Sequence, residues 1–338
     1  MLESVPGRAS GVGSWPGADV VDTLRTTFGE LPEPHVPYLP ELPARGPGAD
    51  LLGRAAALLV DMPVDLQPVG WRLVDRPGRD LARAEAWLRQ DLDVLAEEAE
   101  GYAGPLKVQC SGPWTLAAGL HLPRLERAVV DAGASRDLAG SLAEGLARHV
   151  GEVRRLVPGA QVVVQLDEPS LPAVLTGALP TASGFGRLRA VEEPVVVDAL
   201  TAVVDAVRDA GAVAVLIHCC ADAPPVDVLA RTGADGLSLD VARLGRVGWE
   251  AVAPLVEGGT ALWAGVVPTS AAVPSAPAAA DAVWEPWRRL GLAPGLLESV
   301  VVTPACGLAG STLPDARARL ARARDAADAL AQRAAEAA

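Results

Sequence analysis

The stretch "VAVLIHCCADAPP" (213–225) carries an apolar run straight into His218, Cys219 and Cys220. The chain has only four cysteines and four histidines, and three of them stand here consecutively. Thiolate and imidazole are soft and borderline donors, the set that zinc prefers. A short apolar run reads as a buried strand, and strand side chains alternate between two faces. Val213, Val215, Ile217 and Cys219 then share one face, and Ala214, Leu216, His218 and Cys220 the other. His218 and Cys220 are co-facial, and Cys219 points away into the core. Asp240 ends "DGLSLDV", Asp167 ends "QVVVQLD", and Cys306 follows a strand in "VVTPACGLAG". Brought to one place, one histidine, two cysteines and a carboxylate suit zinc. Cysteine is also among the most often buried residues, so periodicity alone leaves a core reading and a metal reading both open.

What must position these residues is an alternation of short strand patterns and longer helical ones. The strand candidates are 10–15, 64–69, 106–112, 161–167, 213–220, 235–241, 261–267 and 299–305. Helical patterns fall at 79–101, 136–156, 195–210, 276–291 and 313–335; in the first, Leu81, Ala84, Leu88, Leu92 and Leu95 recur at helical spacing on one face. This alternation predicts an α/β fold with a parallel sheet, and eight repeats predict a single (β/α)8 barrel over residues 1–338. Pro63 and Pro68 bracket the candidate at 64–69 and weaken it. The segments 30–48 and 176–195 read as long loops. The C-terminal ends of barrel strands form the catalytic face, so Asp167, His218, Cys220, Asp240 and Cys306 converge on one mouth. Val162, Val164, Leu166, Leu237 and Leu239 face the helices, while Gln165, Asp167, Gly236, Ser238 and Asp240 point inward.

Other residues near the mouth are less specific. Asp167 faces it and can hold a cationic group. Glu168 is its neighbour on the opposite side, where it caps the following helix or pairs with an arginine. "GVGSWPG" lacks the spacing of a phosphate loop and reads as a tight turn that exposes Ser14. Gly307 permits a tight turn after Cys306. Cys110 reads as core or mouth lining. His35, His121 and His149 have ordinary surface or loop readings and no role.

The formal net charge of −13 disfavours nucleic acid and anionic membranes as partners. "MLESVPGRAS" shows no secretory signal pattern, and prolines 268, 274 and 277 break the longest uncharged stretch. The expectation is a soluble, cytoplasmic protein whose cysteines are thiols or metal ligands.

"GVGSWP", "SGPWTL", "VQLDEPSL", "IHCC", "DGLSLD", "WAGVV" and "TPACGL" occur in this order. Together they resemble the C-terminal catalytic barrel of cobalamin-independent methionine synthase, over roughly residues 10–325. The resemblance implies a zinc-dependent methyltransferase that moves a methyl group from a methylated folate to the thiol of homocysteine. It implies His218, Cys220, Asp240 and Cys306 as zinc ligands, with Asp240 standing where the family has glutamate. It implies Asp167 at the substrate amine and Ser14 at the substrate carboxylate. Three departures stand out. The family's full-length members carry a further barrel before this one, which these 338 residues do not include. The loop "GVVPTSAAVPS" has Thr269 near the place of a family histidine that protonates the departing pterin. The family's second amine-binding residue, a glutamate after the second strand, has no match in "LLVDMPVDLQPVGWRL". A corrinoid protein is therefore an alternative methyl donor, and another thiol an alternative acceptor. A metal-free barrel like uroporphyrinogen decarboxylase is a rival reading, but "GVGSWPGAD" offers none of the arginines it needs. A non-catalytic barrel that binds zinc or a thiol is the other.

Overall fold

The computed structural model describes residues 5–124 and 126–337. Its strands are β1 (Arg8–Ala9), β2 (Val64–Gln67), β3 (Gly70–Leu73), β4 (Ala103–Ser111), β5 (Gly159–Asp167), β6 (Ala214–Cys219), β7 (Gly236–Asp240), β8 (Ala261–Val267) and β9 (Val301–Pro304). Seven of them form one parallel sheet in the order β1-β9-β8-β7-β6-β5-β4. Helices cross between successive strands, as parallel pairing requires. The long ones are Arg79–Glu98, Ala132–Leu156, Glu193–Asp209, Ala276–Leu290 and Leu313–Ala337, each matching a predicted helical pattern. In the first, Leu81, Ala84, Leu88, Leu92 and Leu95 are all buried, so the periodic stripe is the face that packs. No helix among the described residues is long and apolar enough to cross a membrane.

The α/β class and the curled parallel sheet agree with the sequence, but the second strand does not. Residues 64–67 pair antiparallel with β3 in a separate hairpin. The two edges of the main sheet are instead joined by residues 36–41, inside a segment expected to be loop. Val36 N donates to Ala9 O at 2.9 Å and Trp15 N to Glu41 O at 2.8 Å on the β1 side. Lys107 N donates to Pro37 O and Leu39 N to Lys107 O, both at 2.9 Å, on the β4 side. Pro37 and Pro40 have no N–H to donate, so this segment bonds at scattered points and makes no regular ladder. The sheet curls round on itself through it. The first predicted strand is likewise short: regular pairing stops at Ala9, and Ser10 and Ser14 make only isolated bridges.

Two apolar clusters show the strand phase. Val162, Val164, Leu166, Ile217, Cys219, Leu237 and Leu239 belong to the large core between sheet and helices. Val36, Val163, Ala214, Leu216, Trp263 and Val301 form a second cluster of their own. Three strand members of this inner cluster precede polar residues of the same phase: Val163 before Gln165 and Asp167, Leu216 before His218, and Val301 before Thr303. Trp263, 1% exposed, plugs the inner space, where a large buried side chain contributes roughly 1.5–3 kcal/mol. The polar residues sit above it, towards the strands' C-terminal ends.

Candidate metal centre

His218 leaves β6 on the inner face and is buried. Its Nδ1 lies 3.1 Å from Ser238 O and 3.0 Å from Ser238 Oγ. A carbonyl only accepts, so Nδ1 carries the proton and Nε2 keeps its lone pair. That Nε2 is buried and has no hydrogen-bond partner among the described residues. Leaving such an atom unpaired costs about 1–3 kcal/mol, a cost that a bound cation would remove.

Cys220 and Cys306 flank this nitrogen. Their Sγ atoms are 3.0 Å apart, well beyond the ~2.05 Å of a disulfide, and all four cysteines are free thiols. The hydrogen bond from Cys220 pulls the Cys306 thiol down to about 4, against burial. The same bond, with burial, pushes Cys220 up. The ligand atoms of His218, Cys220 and Cys306 all lie within 4.8 Å of one another. One imidazole nitrogen and two sulfurs at this spacing are a donor set that fits zinc. Cys219 is fully buried on the opposite face, and Cys110 is also core, with its thiol pushed well up by burial.

Asp240 lies outside this trio. Its Oδ1 accepts from Ala242 N at 3.1 Å and its Oδ2 from Arg243 Nε at 2.9 Å. Arg243 also pairs with Asp222. Ser14 is clasped by the segment after Cys306: Leu308 N donates to Ser14 O at 2.8 Å and Ala309 N to Ser14 Oγ at 3.4 Å. A Cβ on Gly307 would come within 2.1 Å of Ser14 Oγ. Gly307 is thus there for a close approach, and its φ is not positive.

Asp167 is buried, and its Oδ1 accepts from Gln165 Nε2 at 2.7 Å. Burial raises it to about 6, against the pull of His218 and Lys107. Glu168 does not cap the following helix and meets no arginine. It accepts from Trp114 N (2.8 Å), Thr115 N (2.7 Å) and Thr115 Oγ1 (2.8 Å), at the start of the preceding helix Pro113–Gly119. A Cβ on Gly112 would collide with it at 2.4 Å. Burial pushes Glu168 up to about 7 despite these bonds.

Sequence reasoning missed Glu41 and Lys107. Glu41 ends the irregular segment 36–41, is 4% exposed, and leaves Oε1 without a hydrogen-bond partner among the described residues. Burial raises it to about 7, with Arg54 as the main opposing influence. Arg54 Nε stands 3.9 Å from it, and Asp91 sits between Arg54 and Arg45. The signal for Lys107 was present: in "LKVQC", Lys107 and Gln109 alternate with the helix-facing Leu106, Val108 and Cys110. His35, His121 and His149, read as surface or loop residues, are all buried. His35 Nδ1 accepts from Ala9 N at 3.2 Å, and His121 Nδ1 lies 3.3 Å from Trp71 O. Burial first, and the charge of Arg54 second, hold His149 down at about 4.

No curated protein matches the chain. Its fold is similar to a B12-independent methionine synthase from Shewanella sp. W3-18-1 in complex with selenomethionine, at 11% identity and TM-score 0.62, covering 97% of this chain and 99% of that one. It is also similar to a methyltransferase from Methanosarcina mazei, at 14% identity and TM-score 0.56, covering 98% and 95%. The profile described as "Cobalamin-independent synthase, Catalytic domain" matches residues 8–329. With that match spanning nearly the whole chain, this protein belongs to the cobalamin-independent synthase catalytic-domain family.

Proposed function

We propose that the protein is a zinc-dependent methyltransferase that makes methionine by moving a methyl group to the thiol of homocysteine. The observation that carries this is the orphaned His218 Nε2 facing two free thiols at a strand-end mouth. His218, Cys220 and Cys306 hold the ion, and Asp240 is the fourth and most easily surrendered ligand, since Arg243 already engages it. Bound zinc keeps a ligating thiol ionised at neutral pH, where a free thiol of pKa ~8.5 is mostly protonated.

The chain's own residues do the rest. Asp167 and Glu41 take the substrate ammonium between two buried carboxylates, and Ser14 takes the carboxylate end. Ser238 fixes the His218 tautomer through Nδ1. The donor is a methylated folate or a methylated corrinoid protein, because Thr269 stands where a protonating histidine would serve the folate reaction.

Zinc per chain in the purified protein is the first test. Near one zinc is expected in the parent and in Cys219→Ser, with loss in Cys220→Ser and Cys306→Ser. Absence of zinc in the parent after reconstitution overturns the proposal. Methyl transfer to homocysteine is then assayed from each donor. A zinc-loaded protein that turns over with neither is a thiol-binding barrel without this activity.

A further inference from the structure

Lys107 is the only lysine in the chain, and it is completely buried beneath the mouth. A buried ammonium is costly unless its donors and its charge are both answered. Its donors are answered by neutral groups: Nζ donates to Val12 O at 2.6 Å and to Gln109 Oε1 at 3.4 Å, and it lies 5.2 Å from the centre of the Tyr38 ring. No carboxylate comes within ion-pair distance of it among the described residues. Its charge is answered at longer range by Asp167 and Glu41.

The acceptor Val12 O is shared. Gln165 Nε2 donates to the same oxygen at 2.9 Å and to Asp167 Oδ1 at 2.7 Å. A polar bridge therefore crosses the barrel from Lys107 through Val12 O and Gln165 to Asp167. Val12 is two residues before Ser14. Lys107 at one end thus holds, through Val12 O, the segment assigned to a substrate carboxylate, and the far end is the residue assigned to its amine.

We propose that Lys107 is a positioning residue for the amino-acid end of the substrate: it fixes the Ser14 segment in register with Asp167 and supplies the buried counter-charge to Asp167 and Glu41. This rests on the amino-acid thiol reading given above. The groups that face Lys107 are Asp167 on β5, Glu41 and Tyr38 on the 36–41 segment, and Gln109 on its own strand. Arg54 stands behind Glu41 and His218 beside Asp167. Burial lowers Lys107 to about 7, with Asp167 and Glu41 opposing, so at neutral pH the ammonium form depends on those two carboxylates.

The test compares homocysteine with 4-mercaptobutyrate, which lacks the amine, by calorimetric binding to zinc-loaded protein. In Lys107→Met, homocysteine should weaken by about tenfold or more, near 1.4 kcal/mol, and 4-mercaptobutyrate, which keeps only the carboxylate that Ser14 holds, by clearly less, while zinc content stays unchanged. Lys107→Arg should recover part of the loss. Equal weakening of both thiols, or no weakening of homocysteine, overturns the proposal. A parent that binds both thiols alike overturns the amino-acid reading, and this inference with it. Because lysine occurs once, lysine labelled with 13C at Cε gives one NMR signal. That signal should shift more with homocysteine than with 4-mercaptobutyrate, and no shift with homocysteine overturns the proposal.

Discussion

The two sides of the mouth are built on opposite plans. The thiol side stands on the ends of regular strands, is partly open at Cys220 and Cys306, and leaves one nitrogen bare. The carboxylate side joins Asp167, at the end of regular β5, to Glu41 on an irregular, proline-broken segment; it is closed to solvent at both residues and is backed behind Glu41 by charge on charge. Behind Glu41, two buried arginines share Asp91, and Arg45 also lies 4.7 Å over the Trp87 ring. One side is arranged to gain an ion. The other has its ions already and, on the proposed function, needs only to receive a small cation. A site can thus separate what it must acquire from what it must hold in place.

Breaking the carboxylate side should leave the thiol side working. The largest effect is expected from Asp91→Asn, which strips both arginines of their common partner. Loss of one partner of a buried ion pair costs about 3–5 kcal/mol, readable as a lower midpoint in denaturant. The folded fraction should still bind zinc as the parent does; zinc lost together with stability would mean the two sides are one unit.

Acid should act on the same side. His149 is buried near Arg54 and held at about 4, below its ordinary 6.5. A depressed folded value contributes stability that is present above pH 6.5 and is lost as pH falls through 4. The linkage is on the order of 3 kcal/mol. Unfolding midpoints measured from pH 7 to 4 should fall in the parent, and the fall should be smaller in His149→Leu. Parallel curves would remove His149 from the scaffolding of Glu41.

The smallest effect sharpens the thiol side. Ser238→Ala removes one of two acceptors on His218 Nδ1 but leaves the carbonyl. Supporting hydrogen bonds of this kind carry roughly 10–100-fold in metal affinity, so the lower figure is expected in a competition with a chelator. An unchanged affinity would mean that Ser238 O alone fixes the tautomer.

The same contrast explains what the sequence disclosed. Period-two alternation holds through β5, β6 and β7, so the phase of His218 against Cys219 could be read directly, and the helical stripe of Leu81 to Leu95 likewise. Alternation fails where prolines interrupt pairing, so the 36–41 segment looked like loop and Glu41 was missed with it. The hairpin strand at 64–67 has strand character in isolation; that it pairs with 70–73 instead of the main sheet is a tertiary fact. Asp240 ends its strand as expected, and its engagement by Arg243, three residues on, is a local rotamer choice that no spacing encodes.

Cys220 and Cys306 lie 86 residues apart, and Ser14 meets Ala309 across 295. During synthesis at ~5–20 residues per second, Cys306 is added roughly 4–17 s after Cys220. Throughout that interval a ribosome-bound chain owns only two of the three clustered donors. On the proposed function, metal loading is therefore a late event in the protein's biogenesis, gated by arrival of the last strand, and an incomplete translation product would carry no assembled centre.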